Sequence, residues 1–187
     1  ACSITGTSAG AIATGLLSVG AHVEDLAAYS VGVAPRPQFQ ELEAVIRAAD
    51  RLALALDRAA LLQLADVRRF VSFAMHLRAR RLPAAIAAIV PGLIKISHRF
   101  AFLDTDAVDP AQPVWRVVAA DSGSRRHVFT AGEAKLSLAV AASCAVPGLF
   151  APVAHEGRRL VDGGVHSTTN ADLAGADGAE TVIVLAP

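Results

Sequence analysis

An α/β fold is predicted by three features of the sequence. A strand, a tight turn and a helix follow one another within the first twenty residues. Helical periodicity then fills the middle of the chain, and beyond Asp109 short strands alternate with a helix.

Taken in order, Ala1 to Thr5 is compact and partly β-branched, as a short strand requires. Gly6 to Gly10 is a glycine-bracketed turn, and Ala11 to Leu17 is a small apolar helical segment ending near Gly20. From about Arg36 to Arg99 the pattern is helical. Leu42, Val45, Ile46, Ala49, Leu52, Ala53 and Leu56 fall on one stripe, with Glu43 four residues before Arg47 on the other face. Leu61 to Leu77 and Ala84 to Val90 continue as helices, the second stopped by Pro91. Val114 to Ala119 reads as a strand, Asp121 to Ser124 as a turn, and His127 to Thr130 as the returning strand. The spacing predicts a hairpin with a four- to five-residue loop. Thr130 and Glu133 have capping-box spacing for a helix over Ala134 to Cys144, which Pro147 ends. Arg159 to Val161 and Thr181 to Leu185 are predicted as strands, with Gly163–Gly164 turning between them.

The composition narrows the function. The chain has 187 residues, enough for one sizeable core, and its 53% hydrophobic content excludes disorder. Seventeen basic side chains balance seventeen acidic ones, so no global field draws it to nucleic acid. The longest apolar run, Leu82 to Ile94, is broken by Pro83, Pro91 and Gly92 and is too short to span a bilayer. Cys2 and Cys144 make no disulfide framework and have no zinc-ligand spacing, which fits a reducing compartment.

Two segments carry the chemistry. Gly6–Thr7–Ser8–Ala9–Gly10 fits G-x-S-x-G, in which a serine on a strained strand-to-helix turn projects its hydroxyl clear of the backbone. The flanking positions must be small, and the following helix aims its first N–H groups at a developing oxyanion. With glycine and serine each near 7% of residues, a chain of this size shows the pattern by accident about 0.06 times. The competing reading is an ordinary glycine-rich turn, such as a phosphate-binding one. Leu160–Val161–Asp162–Gly163–Gly164 ends a strand in a carboxylate followed by two glycines, which lets another backbone approach and leaves the oxygens open. Alone, it reads rather as a plain Asp-Gly turn.

Together with Ala142–Ser143–Cys144–Ala145–Val146–Pro147–Gly148–Leu149–Phe150, these segments make the chain resemble the patatin-like phospholipases. Asn170–Ala171–Asp172–Leu173 and Val182–Ile183–Val184–Leu185 look like the continuation in bacterial members. The resemblance implies a three-layer α/β fold with a mostly parallel central sheet, and a helical cap inserted at approximately residues 36–106. It also implies hydrolysis of lipid acyl esters by a serine–aspartate dyad, Ser8 and Asp162, without cofactor or metal. Gly6, Ala9, Gly10, Gly163 and Gly164 fall at the motif and oxyanion positions, and Ala9 supplies a backbone N–H. Family members carry a glycine-rich oxyanion segment with a basic residue roughly forty residues before the serine. No such segment occurs here, so the expectation is a domain cut at the front.

Other candidates rank lower. His166 would complete a Ser/His/Asp triad with Asp104, Asp106 or Asp121 as orienter, but a surface histidine in a loop is preferred. Cys144 reads as packing rather than as a nucleophile. Arg78, Arg80, Arg81, Lys95, His98 and Arg99 flank the apolar run and suit peripheral contact with lipid headgroups. A buried cap helix with solvated ends is the preferred alternative. Asp104, Asp106 and Asp109 lack the rest of a calcium loop, so no metal is expected. With the resemblance, the expectation is a lipid acyl ester hydrolase in the cytoplasm or at a membrane surface. A Ser/His/Asp esterase, an acyltransferase and an inert lipid-binding module remain as alternatives.

Overall fold

The structure is a computed structural model that describes residues 3–30, 96–104 and 114–185. β1 (Ser3–Thr7) leads directly into α1 (Ala9–Ser18), so the predicted five-residue turn is a single residue, Ser8. α1 stops as predicted near Gly20. The Gly20 N–H bonds to the Leu17 carbonyl and the Ala21 N–H to that of Leu16, which closes the last turn. α2 (Val23–Ser30) follows, with Glu24 and Asp25 in its first turn, where acidic side chains oppose the helix dipole.

The predicted cap at 36–106 lies outside the described residues apart from 96–104, as do Asp106, Asp109, the Leu42–Leu56 stripe and the Leu82–Ile94 run. Within 96–104, Ser97–Leu103 form a 3-10 helix rather than the end of an α-helix. Ile96, Phe100 and Leu103 are buried in the core. Among the described residues, no helix is long and apolar enough to cross a membrane.

β2 (Val114–Asp121) and β3 (Arg126–Thr130) form the predicted hairpin around residues 122–125. The Asp121 carboxylate organises this turn, accepting from the Gly123 and Arg125 N–H groups at 2.8 and 3.0 Å and from Arg125 Nε at 2.7 Å. Burial acts to raise the Asp121 pKa, but these donors outweigh it and hold the carboxyl below its ordinary value. α3 (Leu136–Ser143) begins two residues later than predicted, and the Thr130–Glu133 pair does not cap it. Glu133 reaches back to the Thr130 N–H, while the helix start is served by Asp104. Its Oδ1 accepts from the Ser137 N–H at 3.1 Å and its Oδ2 from Ser137 Oγ at 2.7 Å. The side chain of Lys135, at the N-cap, has no acceptor to offer, so the cap comes from Asp104, 33 positions before Ser137.

β4 (Val153–His155) and β5 (Arg158–Asp162) form a second hairpin, whose first strand the sequence pattern did not reveal. Glu156 and Gly157, both at positive φ, make a two-residue turn of the kind that matches strand twist. A 3-10 turn (Gly163–Val165) and α4 (Asp172–Ala176) follow. The predicted strand Thr181–Leu185 does not form. These residues pair with no described strand, and Ile183 and Leu185 are 82% and 91% exposed.

β2 organises the sheet. It pairs in parallel with β1 and antiparallel with β3 and β5, and β5 pairs antiparallel with β4, so the described sheet is mixed. β1 occupies residues 114–118 of β2, β5 occupies 119–121, and β3 overlaps both at 116–120. β1 and β5 therefore lie end to end on one edge of β2, with β3 on the other. Alternation sends Trp115, Val117 and Ala119 to one face with Phe129 and Leu160, where Ala11 of α1 and Ala139–Ala142 of α3 cover them. Four consecutive small or β-branched residues in α3 allow the helix to sit close on the sheet. From the opposite face Arg116 pairs with Asp177 and Arg126 with Asp172, fixing the two ends of the α4 segment as the third layer. The Arg126 hydrogen bond is the main influence holding the Asp172 carboxyl below its ordinary pKa.

Replacing Asp104 with Ala is expected to cost about 1 kcal/mol of stability, read from the urea unfolding midpoint. Asp104→Asn, which keeps an acceptor for the Ser137 N–H, should recover part of that loss.

Candidate active site

The register of the sheet brings the two candidate segments together. Thr7 stands opposite Val118 and Asp162 opposite Ala119, so the last residues of β1 and β5 meet over adjacent positions of β2. The residue after Thr7 is Ser8, and its Oγ donates to Asp162 Oδ2 at 2.6 Å across 154 positions of sequence. Asp162 Oδ1 accepts the Gly164 N–H at 2.7 Å, which fixes the plane of the carboxylate. The Asp162 N–H donates to the Ala145 carbonyl at 2.9 Å, tying the end of β5 to the segment after α3. The aspartate is 4% exposed, and donors on both oxygens offset the cost of withdrawing its charge from water.

Ser8 holds a strained backbone, φ 55° and ψ −121°, in the positive-φ region that a non-glycine residue rarely occupies. The strain has a structural consequence. Serine before a helix ordinarily bends back to cap the first turn, but the Ser8 side chain makes no such bond. Its hydroxyl faces Asp162 instead, and the first N–H groups of α1, beginning with exposed Ala9, are left without an intrahelical partner. With no acidic side chain in that turn, the helix end is electropositive and open to an anion.

The strained corner is held by α3. Ser143 Oγ accepts the Ser8 N–H at 2.9 Å and donates to the Val118 carbonyl at 2.6 Å. Cys144 Sγ lies 3.1 Å from the Ser8 carbonyl oxygen, to which its thiol donates, and the Ala11 N–H donates to the same oxygen at 2.9 Å. Burial first, and the nearby Asp162 charge second, push the Cys144 thiol up to about 12. Cys144 is therefore a protonated hydrogen-bond donor and packing residue, as its sequence context suggested, and not a nucleophile.

The glycines have unequal roles. A Cβ on Gly163 would lie 2.2 Å from the Val118 carbonyl oxygen, so only glycine lets the chain turn away from the end of β5 this close to β2. A Cβ on Gly6 would meet Thr14 Oγ1 at 2.4 Å and the Gly10 carbonyl oxygen at 2.5 Å, so α1 can fold back closely on β1 only over a glycine. Around Gly10 nothing lies within 4 Å of a built Cβ, so the expected need for a small residue there is not met. Gly164 contributes its N–H.

Two participants had no assigned role in the sequence. One is Ser143, the bracket between Ser8 and Val118. The other is Asn170, 1% exposed and at positive φ, whose Nδ2 donates to Thr7 Oγ1 at 3.0 Å and to the Ser167 carbonyl at 2.7 Å. Their only signal was membership of the blocks that carry the family resemblance. The triad alternative is not assembled. The Ser8 hydroxyl bonds to a carboxylate, and exposed His166 places Nδ1 2.9 Å from the Ser124 carbonyl oxygen. Of the orienters considered, Asp121 is engaged by its own turn and Asp104 by Ser137.

A family model described as Patatin-like phospholipase matches residues 3–174. The chain belongs to the patatin-like phospholipase family. Lipid acyl ester hydrolysis is accordingly the reaction class of this patatin-like domain, and lipids are its substrate class. The match runs from the start of β1 through Asn170 into α4, so every residue of the constellation described above lies inside it.

Two outcomes follow from the packing of this patatin-like domain around Ser8. Gly163→Ala should destabilise it by about 1–3 kcal/mol in urea unfolding, because the Val118 carbonyl cannot retreat without breaking the sheet. The raised Cys144 pKa means that the folded chain retains a proton that the unfolded thiol releases above its ordinary value of 9.0. Stability from this group is thus complete below pH 9 and is lost as pH rises toward about 12. The unfolding midpoint should fall more steeply with alkaline pH in the wild type than in Cys144→Ala.

Proposed function

We propose that this patatin-like domain hydrolyses acyl esters of lipids through a dyad of Ser8 and Asp162. The 2.6 Å hydrogen bond from Ser8 Oγ to Asp162 Oδ2 carries this reading, since it sets a nucleophile against a base with nothing between them. As Ser8 Oγ bonds to the ester carbonyl carbon, its proton passes to Asp162. Negative charge collects on the carbonyl oxygen, where the Ala9 N–H and the uncapped start of α1 are available to receive it. Collapse of this intermediate breaks the ester C–O bond, and protonated Asp162 returns its proton to the departing alcohol. The acyl-enzyme is then opened by water. Asp162 takes a proton from that water, the Ser8–acyl bond breaks, and the proton goes back to Ser8 as the fatty acid leaves.

The Gly164 N–H keeps Asp162 in one orientation throughout, and Ser143 keeps the Ser8 corner from relaxing toward a capping conformation. This preorganisation supports the dyad reading, because neither group must move before the proton does.

Asp162→Asn preserves shape and hydrogen bonding but cannot take the proton, and it should lower kcat on p-nitrophenyl and phospholipid acyl esters roughly 100- to 10,000-fold. Ser8→Ala should abolish both turnover and labelling by a fluorophosphonate probe. His166→Ala should leave turnover unchanged. Wild-type activity in Asp162→Asn, or probe attachment at a residue other than Ser8, would overturn the dyad.

A further inference from the structure

Among the described residues, a second group of chemically competent side chains converges on the sheet. His127 comes from β3, His155 from the end of β4, and Glu133 from the loop between β3 and α3. Their ligand atoms, two imidazole nitrogens and a carboxylate oxygen, all lie within 4.8 Å of one another. β2 and β5 separate β3 from β4 in the sheet, yet the two rings stand 5.7 Å apart between centroids, which requires the sheet to curl there. Phe129 packs against both rings, at 4.4 and 5.1 Å, and forms an apolar wall to the cluster.

The decisive feature is unsatisfied polarity. Nε2 of His127 and Nε2 of His155 are both buried and have no hydrogen-bond partner. A buried polar atom left unpaired costs about 1–3 kcal/mol, and here each of the two histidines of the cluster carries one. Glu133 Oε1 lies 3.3 Å from His127 Nε2, outside the ring's hydrogen-bonding direction. Ligands bound tetrahedrally to zinc at about 2.0–2.1 Å are themselves separated by roughly 3.3 Å. The nitrogen and oxygen are thus spaced as neighbouring vertices of such a coordination polyhedron would be.

We propose that His127, Glu133 and His155 form a binding site for a borderline divalent cation of the zinc class, which ties the β3–α3 loop to the β4–β5 hairpin. Two neutral imidazoles and one carboxylate suit such an ion, and a fourth position stays open for water. The charged neighbours are Glu133 and Glu156 on the acidic side and Arg158 on the basic side. Desolvation, the largest influence on His127, lowers its pKa and keeps the ring in the neutral form that ligation needs. Arg158 Nη1 lies 3.3 Å from His127 Nδ1. With a metal on Nε2 that nitrogen bears the ring proton, so exposed Arg158 must turn to solvent and acts against binding. The site is separate from the dyad in the sheet, with His127 facing Ala119 from β3 and Asp162 facing the same residue from β5.

The test uses the tag-free 187-residue chain carrying Cys2→Ser, titrated with Co²⁺ and followed by the visible d–d absorption of tetrahedral cobalt. One Co²⁺ per chain is expected at micromolar concentration, displaced by Zn²⁺, and Zn²⁺ should raise the thermal unfolding midpoint. His127→Gln and His155→Gln should each abolish the spectrum. Glu133→Gln, at a loop position, should weaken binding roughly 10- to 100-fold, and Arg158→Ala should strengthen it. A wild-type chain that takes up no Co²⁺ overturns the site without recourse to any variant. So does binding that survives in folded His127→Gln/His155→Gln, with Glu133→Gln providing the same test should that double variant fail to fold.

Discussion

The hydrogen bond between Ser8 and Asp162 exists because two strands running toward each other end on neighbouring residues of a third. β1 climbs β2 in parallel as far as Val118, and β5 descends it antiparallel as far as Ala119. Neither strand continues past the junction: β1 turns into α1 and β5 into a 3-10 turn. Two chain ends abutting on one sheet edge would ordinarily clash, and Gly163 relieves the tightest point, against the Val118 carbonyl. The same carbonyl accepts the Ser143 hydroxyl, so one backbone position of β2 sets the location of both halves of the site.

Stability is given up at this corner to keep a hydroxyl available. A non-glycine residue at positive φ is held at a cost of about 1–3 kcal/mol, and the missing N-cap forfeits roughly another 1 kcal/mol. Hydrogen bonds from the Ser8 N–H to Ser143, and from the Cys144 thiol and the Ala11 N–H to the Ser8 carbonyl, hold that residue in a conformation it would not choose. A serine released from these contacts would bend back onto the first turn of α1 and cover the N–H groups that an oxyanion needs. The strain and the open helix end are thus two aspects of one arrangement, and α3 supplies the restraint through its closely packed small residues.

A second region of the same sheet is assembled by a different rule. Where the dyad joins groups that satisfy each other, the His127–Glu133–His155 cluster joins groups that do not. β5 connects the two regions, beginning at Arg158 beside His127 and ending at Asp162 beside Ser8. Bracing the β4–β5 hairpin therefore also steadies the strand that carries the carboxylate. The thin third layer, attached by the Arg116 and Arg126 ion pairs, contributes little apolar burial of its own, since α4 has no buried residue.

The α/β class and the elbow serine were legible in the sequence because each follows from local chemistry. Asp162 alone reads as a plain turn, and only the family resemblance pairs it with Ser8. A strand–serine–helix junction and an Asp-Gly-Gly strand end are written in neighbouring letters. The same locality made the β2–β3 hairpin readable and hid β4, whose three residues are too few to show a period. It also produced a strand over Thr181–Leu185, since a short run of apolar, β-branched letters cannot state whether the segment will pair with a neighbouring strand. Capping shows the limit most clearly. Thr130 and Glu133 had the right spacing, yet the helix takes its cap from Asp104, a residue that no short-range pattern connects to it. Ser143 as a bracket, Asn170 beneath Thr7, and the meeting of His127 with His155 are all decided by which strands lie together. Register is fixed by the packing of the whole sheet, and a linear sequence encodes it only through the summed burial of residues far apart.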